Sequence, residues 1–251
     1  PAYWASLPGA WASLDPYRPS SLDPQSPGWW GRGSLIRYSC LDCHASGAWY
    51  ERTGDGSIET RWIDLAIDCE ECHADAAAHA RGEGRTPRSL KDLSPQHEAQ
   101  LCGRCHGYKV PFDLGRDRRG LPMHAFRTPA YEGFRPDGTQ RQTVYQLAGH
   151  LLSECYGAGG LTCGSCHDPH SGRGRDLAGR PASGEQADRQ CTVCHRDLAD
   201  EASAAAHVPH PGGAATCADC HMGWSWILDS PATHQRTSDH SISIPRPEEA
   251  A

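Results

Sequence analysis

The segment Cys163-Gly164-Ser165-Cys166-His167-Asp168-Pro169-His170 contains the pattern on which the architecture of this 251-residue chain depends. Two cysteines are separated by two residues, and a histidine directly follows the second cysteine. This C-x-x-C-H pattern is the attachment signature of c-type haem, because two thiols at this spacing match the two vinyl groups on one edge of a porphyrin. The histidine then lies under the ring and binds the iron from one face.

The pattern occurs six times and accounts for twelve of the thirteen cysteines. The attachment cysteines are Cys40 and Cys43, Cys69 and Cys72, Cys102 and Cys105, Cys163 and Cys166, Cys191 and Cys194, and Cys217 and Cys220. The histidines that follow them are His44, His73, His106, His167, His195 and His221. Three four-cysteine zinc sites or a disulfide framework are the alternatives, but neither requires a histidine after every pair. We therefore predict six covalently bound c-type haems as cofactors.

The composition leaves too few side chains for an aliphatic core. Leu, Ile, Val and Phe make up 32 of the 251 residues. Chains that build an aliphatic core contain at least roughly 20% of these four residue types, so this share is well below the usual one. The 27 glycines and 19 prolines outnumber these 32 residues. An ordinary globular enzyme fold is thus excluded, and the haems must supply the apolar interior. We predict a mostly irregular multihaem cytochrome c fold with short α-helices and little or no β-sheet, wrapped around six stacked haems.

The spacing of the motifs suggests how the chain is organised. The haem groups at 40–106 and 163–221 lie in a predicted hexahaem domain over residues 35–251. Residues 1–34 are rich in proline and tryptophan, which predicts an extended arm that docks on the haems or on a neighbouring subunit. A disordered N-terminus is the alternative.

Three helices are indicated near the motifs. Ser94-Pro95 predicts the start of a helix that runs into the third motif. A capping box at 139–142, followed by an apolar stripe, predicts a helix of about four turns with Cys155 as a buried packing thiol. Ser183 with Gln186 predicts the start of a helix that contains the fifth motif. The stripe consists of Val144, Leu147, Leu151 and Cys155.

Nine histidines remain outside the motifs, enough to close the second face of every iron. An iron with histidine on both faces suits electron transfer, whereas an open face can bind substrate. His170 lies three residues beyond His167, too close to reach the opposite face of the same haem. We therefore expect His170 to bind the iron of a neighbouring haem. His79, six residues after His73, can act in the same way.

Three parts of the sequence resemble a known group of proteins. The segment 163–170, the stretch Ala125–Pro169 and the ending Asp239–Pro247 resemble the multihaem c-type cytochromes with doubled C-x-x-C-H motifs. This group includes the tetratricopeptide-associated multihaem proteins and is related to hydroxylamine oxidoreductase and pentahaem nitrite reductase. The resemblance covers residues 35–247.

The resemblance implies a set of second iron ligands. They are His79, His124, His170, His240 and one of His207 and His210. Two positions depart from the group's pattern, since Ala-Asp-Ala-Ala-Ala at 74–78 precedes His79 and Met123 replaces an Asp before His124. The sixth ligand would come from His150, His234 or His97, and His150 is either a ligand or a polar flank of the predicted helix.

Six closely packed haems favour an electron-transfer protein with low reduction potentials, because no Met ligand raises them. The chain would work alone, as a repeating subunit of an extracellular filament, or docked on a larger redox complex. The alternative is an enzyme with one open haem for nitrite, hydroxylamine or sulfur oxyanions. Since all six motifs end in histidine, we expect a carrier rather than an enzyme.

Charge and hydropathy limit the partners and the compartment. The net charge of −7 argues against nucleic acid and predicts redox protein partners with a basic surface. No window approaches 18 consecutive apolar residues, so no membrane span is expected. Residues 1–30 lack a signal-peptide pattern, which suggests a mature form of the protein. Covalent haem attachment takes place outside the cytoplasmic membrane, so we expect a periplasmic or extracellular protein that assembles with itself or with a redox complex.

Overall fold

The computed structural model describes part of the chain, and the statements that follow refer to that part. It comprises residues 2–5, 10–13, 41–56, 58–84, 86–107, 110–111, 126–127, 140, 145–183, 187–207, 216–226 and 236–245. Four of the predicted site residues lie outside it: Cys40, His124, His210 and His234.

The described helices are short, and every C-x-x-C-H motif contributes residues to one of them. They are α1 (Leu41–His44), α2 (Cys69–Cys72), α3 (Ala76–Ala80), α4 (Pro95–His106), α5 (Leu147–Leu152), α6 (Glu154–Gly157), α7 (Cys163–Cys166), α8 (Asp188–Thr192), α9 (Glu201–His207) and α10 (Cys217–His221). Two 3₁₀ helices span Leu90–Asp92 and Arg196–Leu198. Within the described ranges, no helix has the length and apolar character needed to cross a bilayer.

The strands pair only two by two, always antiparallel. The pairs are β1 (Ala2–Ala5) with β2 (Ala10–Ser13), β3 (Trp49–Arg52) with β4 (Ile58–Arg61), β5 (Val110–Pro111) with β6 (Phe126–Arg127), β7 (His167–Asp168) with β8 (Arg173–Gly174), and β9 (Trp224–Trp226) with β10 (Arg236–Ser238). Short helices, isolated hairpins and long irregular segments confirm the predicted fold class.

Two of these hairpins lie where none was expected from the sequence. Strands β1 and β2 lie within residues 1–34, the segment predicted to form an extended arm, and their register pairs Trp4 with Trp11. Strands β3 and β4 are joined by a turn in which the backbone N of Gly56 donates to the carbonyl of Thr53 at 2.9 Å. Gly56 has φ +83°, a left-handed conformation that glycine adopts without steric cost. The Asp55-Gly56 dipeptide is the sequence signal for this hairpin.

The helix predictions have mixed outcomes. Helix α4 begins at Pro95 with Ser94 as its N-cap, which confirms the predicted start and its extension through the third motif. The predicted four-turn helix is wrong, because Ser153 interrupts it with an extended backbone, ψ 144°. The Ser153 hydroxyl donates to the His150 carbonyl at 2.7 Å and also caps α6, so it competes with the helical backbone bonds. The predicted start at Ser183 is wrong, because helix α8 begins at Asp188 with Ala187 as its N-cap and ends at Thr192, inside the fifth motif; Gln186 lies outside the described residues.

Very little apolar side-chain surface is buried. In the described part of the chain, the buried apolar residues are Leu41, Ala45, Ala48, Ala76, Ala99, Leu147 and Ala182. Five of the seven are alanines, and the one cluster they form contains Leu41, Ala45 and Ala48. Cys155, predicted to be a buried packing thiol, is only half-buried. Apart from this small cluster, the described residues form no apolar core of their own.

Candidate haem-binding site

Three pairs of histidine rings lie at nearly the same separation. The ring centroids are 6.1 Å apart for His73 and His170, 6.1 Å for His167 and His240, and 6.0 Å for His207 and His221. Each pair joins one motif histidine, at position 73, 167 or 221, to one histidine outside the motifs. The structure thus brings His170 to the second motif and not to its own, the fourth.

The common separation fits two imidazoles that face one iron from opposite sides. An imidazole nitrogen binds a metal at about 2 Å and lies roughly 1.2 Å from its own ring centroid, so such centroids are about 6 Å apart. His150 and Tyr156 show a different arrangement, edge to face at 5.3 Å, typical of a packing contact. Since all three histidine pairs share one distance, the residues present fit bis-histidine haem.

Hydrogen bonds at Nδ1 orient several of these rings. Nδ1 of His240 lies 2.9 Å from the carbonyl oxygen of Ser238, and Nδ1 of His221 lies 2.9 Å from that of Ser243. A carbonyl accepts only, so Nδ1 carries the proton in both rings and Nε2 keeps its lone pair. In metal sites, the same kind of outer bond fixes the tautomer and the direction of the ligating nitrogen.

Two of the paired histidines have a pKa below the ordinary value. Burial lowers the pKa of His240 from its ordinary value, and the neighbouring His167 ring lowers it further. The pKa of His167 is also lowered, first by partial loss of water around its ring and then by His106 and Arg175, although the residue as a whole is exposed. The neutral imidazole is the form that binds a metal, because the protonated ring has no free lone pair.

The remaining described histidines are placed in other ways. His44, His79, His97, His106 and His195 are exposed, as are the paired His167, His170 and His207, but these five belong to none of the three ring pairs described above. Nδ1 of His106 lies 3.1 Å from Oε1 of Gln146, which leaves Nε2 for a metal. The ring of His97 instead hydrogen-bonds the hydroxyl of Ser94, its own helix cap, at 3.1 Å.

His150 is buried at 8% exposure, and its environment is that of a structural side chain. Its Nε2 lies 3.2 Å from the carbonyl oxygen of Leu161, so this nitrogen is the donor of a hydrogen bond. The ring also packs edge to face against Tyr156. Burial lowers the pKa of His150, consistent with a neutral ring inside the protein.

The first three motifs are joined through Glu71, which lies between the two cysteines of the second motif. Its Oε2 accepts a hydrogen bond from the backbone N of Gly47, just after the first motif, at 3.0 Å. Its Oε1 forms an ion pair with Arg104, which lies inside the third motif, and Arg104 Nη1 donates to the Glu71 carbonyl at 2.9 Å. Both side chains are largely buried, at 10% and 14% exposure, which makes the pair a structural junction.

The later motifs form a continuous series of contacts. Glu98 Oε1 on α4 accepts a hydrogen bond from the backbone N of Gly164 in the fourth motif at 2.5 Å. Gln190 Nε2, just before the fifth motif, lies 3.4 Å from the Cys166 carbonyl. Asp188 Oδ1 accepts from the backbone N of Cys217 in the sixth motif at 2.8 Å. Neighbours in sequence are therefore neighbours in space from the third motif to the sixth.

Two pairs of thiols from different motifs come into contact along this series. The hydrogen bond to Cys163, followed by burial, raises the pKa of the Cys102 thiol. Burial raises the pKa of Cys217 to about 12, and its thiol lies in hydrogen-bonding contact with that of Cys191. A raised pKa favours the protonated thiol at Cys102, Cys191 and Cys217, whereas the hydrogen bond from Cys102 lowers the pKa of Cys163.

Large apolar side chains lie exposed close to the motifs. Leu65 is 62% exposed and Ile67 is 51% exposed, a few residues before Cys69. Trp224, three residues after His221, is 54% exposed. A haem is a flat apolar plate, and these side chains offer the kind of surface against which it packs.

Sequence reasoning missed the carboxylates that join the motifs. Glu98 lies four residues before Cys102, and Asp188 lies three residues before Cys191. The available signal was an acid about one helical turn before a motif. The hydrogen-bond partner could not be identified from sequence, because Gly164 lies 66 positions from Glu98 and Cys217 lies 29 positions from Asp188. Glu71 is an ordinary x position of the motif and gave no signal of its own.

Substitution of Gly149 should displace the C-terminal segment that contains His240. An ideal Cβ at Gly149 would lie 2.7 Å from Gln140 Oε1 and 2.9 Å from the backbone N of Ser241, both closer than atoms pack. We expect Gly149→Ala to destabilise the protein by about 1–3 kcal/mol through overpacking. We also expect His240 to move away from His167, which visible and EPR spectra would detect as the loss of one low-spin haem.

Gly157→Ala is the matched control, because a Cβ at Gly157 would meet nothing within 4 Å. We expect this variant to retain the wild-type spectrum and stability. An unchanged spectrum in Gly149→Ala would contradict the role of the C-terminal segment in holding His240.

Comparison with known proteins supports the architecture. The crystal structure of the outer cell wall cytochrome OcwA matches with a TM-score of 0.50 at 16% sequence identity. The match covers 96% of this chain and 61% of that chain, so this chain spans about three fifths of the length of OcwA. No protein-family model matches the chain, and no curated protein matches it. Together with the short helices and the six motifs, the match shows a multihaem cytochrome-like fold.

Proposed function

We propose that this protein is a hexahaem c-type cytochrome that conducts electrons along bis-histidine haems. The observation that supports the proposal best is the common 6.0–6.1 Å separation of three histidine pairs, each of which includes one motif histidine. Ordinary side-chain packing does not explain why every pair contains one motif histidine and one histidine from outside the motifs. Six motifs in one chain, and a solved cytochrome of similar fold, support the same conclusion.

We infer second ligands for three haems from the pairs. His170 serves the haem of His73, His240 that of His167, and His207 that of His221. The motif histidines His44, His106 and His195 bind the other three irons. Their second ligands come from His79, His124, His210 and His234, while His150 stays a structural residue because its Nε2 is bonded to a carbonyl.

The haems supply one-electron redox chemistry, and the polypeptide supplies their order. The junctions through Glu71, Glu98, Gln190 and Asp188 hold each motif against the next, so electrons pass between neighbouring groups without diffusion. Histidine on both faces keeps an iron six-coordinate in both redox states. Little reorganisation is then needed for each transfer, and low potentials follow from the absence of Met ligands.

The setting we propose is outside the cytoplasmic membrane, in the periplasm or at the cell exterior. Covalent haem attachment and the likeness to an outer cell wall cytochrome support it. The acidic chain would meet redox partners through a basic surface on the partner. The N-terminal arm, residues 1–34, with Trp4 opposite Trp11 in its hairpin, would dock on haems or on a neighbouring subunit in a filament or larger complex.

A reductive titration of the purified protein tests this function. We expect uptake of six electrons per chain, in overlapping one-electron steps at potentials below those of cytochromes with a Met ligand. Intact mass measured on the same sample gives the number of haems attached. Uptake of fewer than six electrons by fully loaded chains, or catalytic turnover of nitrite or hydroxylamine, would count against an electron carrier.

A further inference from the structure

We propose that Glu98 is a positioning residue that joins the third and fourth haems and keeps the reduction potentials of both low. The inference rests on the proposed function, because it concerns two of the six haems. Glu98 lies on α4, four residues before Cys102, and is only 3% exposed. No sequence motif requires an acid at this buried position.

The contacts of Glu98 place it between two motifs. Its Oε1 accepts the hydrogen bond from the backbone N of Gly164, which joins residues 66 positions apart. A carboxylate oxygen of Glu98 and the sulfurs of Cys102 and Cys163 all lie within 4.8 Å of one another. Since Cys102 belongs to the third motif and Cys163 to the fourth, the carboxylate lies where the attachment edges of two haems meet.

The surroundings of Glu98 stabilise a charged carboxylate in the interior. A buried charge is tolerated only with hydrogen-bond partners, and the N–H of Gly164 is one. The guanidinium of Arg175 also contacts Gly164, since its Nε donates to the Gly164 carbonyl at 2.7 Å. An ideal Cβ at Gly164 would lie 3.1 Å from Glu98 Oε1 and 3.3 Å from Arg175 Nη2, so glycine allows both groups this close.

A negative charge beside a haem stabilises the ferric iron, which carries one more positive charge than the ferrous iron. In a buried site with a low dielectric constant, this interaction is stronger than in water. Glu98 would therefore lower the potentials of the two haems it joins. Arg175 acts in the opposite direction, because its guanidinium stays positively charged while it donates to the carbonyl of Gly164; removal of the Glu98 charge alone therefore isolates the negative contribution.

A similar arrangement recurs at the junction of the fifth and sixth motifs. Asp188, three residues before Cys191, accepts the hydrogen bond from the backbone N of Cys217 at 2.8 Å. The thiols of Cys191 and Cys217 are again in contact. Because this second junction has its own acid, a change at Glu98 should affect only the third and fourth haems.

The test is a spectroelectrochemical titration of Glu98→Gln in the haem-loaded protein. Glutamine keeps an oxygen that can accept from Gly164, removes the negative charge and replaces the second carboxylate oxygen with an NH2 group. We expect the reduction potentials of two of the six haems to rise. The expected change of about tenfold in the equilibrium constant for reduction corresponds to a rise of about 59 mV for a one-electron couple. Glu83→Gln is the control, because Glu83 is an exposed acid that is paired with Arg81 on the surface. It should leave all six steps unchanged.

The outcomes separate this inference from the proposed function. If Glu98→Gln binds six haems and no step shifts, the inference is overturned, while the wild-type titration still reports on electron transfer. If Glu98→Gln loses haem, Glu98→Asp decides. If Glu98→Asp binds six haems again, a carboxylate is required at this position, which supports the inference. If both variants lose the same number of haems, only packing at the site matters, and the inference is overturned.

Discussion

His170→Ala should convert one haem from low spin to high spin. The ring of His170 lies 6.1 Å from that of His73, so its removal leaves the iron of the second haem with one axial ligand. We expect a loss of about one sixth of the low-spin ferric signal and the appearance of a matching high-spin signal. EPR and visible spectra of the purified variant measure both changes on the same sample.

A double variant identifies the affected haem. If His170 and His73 serve the same iron, His73→Ala with His170→Ala should disturb one haem, because the two effects then coincide. Disturbance of two haems would show that His170 binds elsewhere. His97→Ala is the control, since its exposed ring bonds only to the helix cap Ser94 in the described contacts, and its spectrum should match the wild type.

The haem-free chain should not fold cooperatively. Only two leucines and five alanines are buried apolar residues in the described part of the chain. Burial of a leucine contributes about 1.5–3 kcal/mol, whereas ordering one residue's backbone costs about 1–2 kcal/mol. The polypeptide alone therefore lacks the stabilisation that folding requires. We expect no thermal transition in circular dichroism of the haem-free chain and a clear one in the haem-loaded protein.

The thiols must be kept reduced in this comparison. The described cysteines form no disulfides with one another, and disulfides that formed between them in the haem-free chain would stabilise it artificially. A cooperative transition in the reduced, haem-free chain would show that the polypeptide contains a core of its own. The haems would then not be the main source of the apolar interior.

Much of the fold could be predicted from sequence because its determinants are local. Each C-x-x-C-H motif predicts a haem attachment site from five adjacent residues, and Ser94-Pro95 determines the start of α4. The prediction of a four-turn helix was wrong because the Ser153 hydroxyl donates to the nearby His150 carbonyl and so competes with the helical hydrogen bonds. The apolar stripe does not reveal this effect. The β3–β4 hairpin was missed although Asp55-Gly56 is a usual turn signal.

The site could be predicted only in part because its second ligands come from distant segments. Sequence spacing shows that His170 cannot serve the haem of His167, but it does not show which haem lies within reach. The structure places His73 beside His170, although 97 positions separate them. The same limit applies to Glu98, whose partner Gly164 becomes a neighbour only after the chain folds.

The most direct test of electron transfer through bis-histidine haems is the ferric EPR spectrum of the purified native protein, with visible absorption recorded on the same sample. We expect six low-spin haems per chain, all with histidine on both faces, and no signal from high-spin iron. The spectrum should not change on addition of nitrite or hydroxylamine. A high-spin haem that binds either molecule would contradict a pure electron carrier, because one iron would then be open for catalysis.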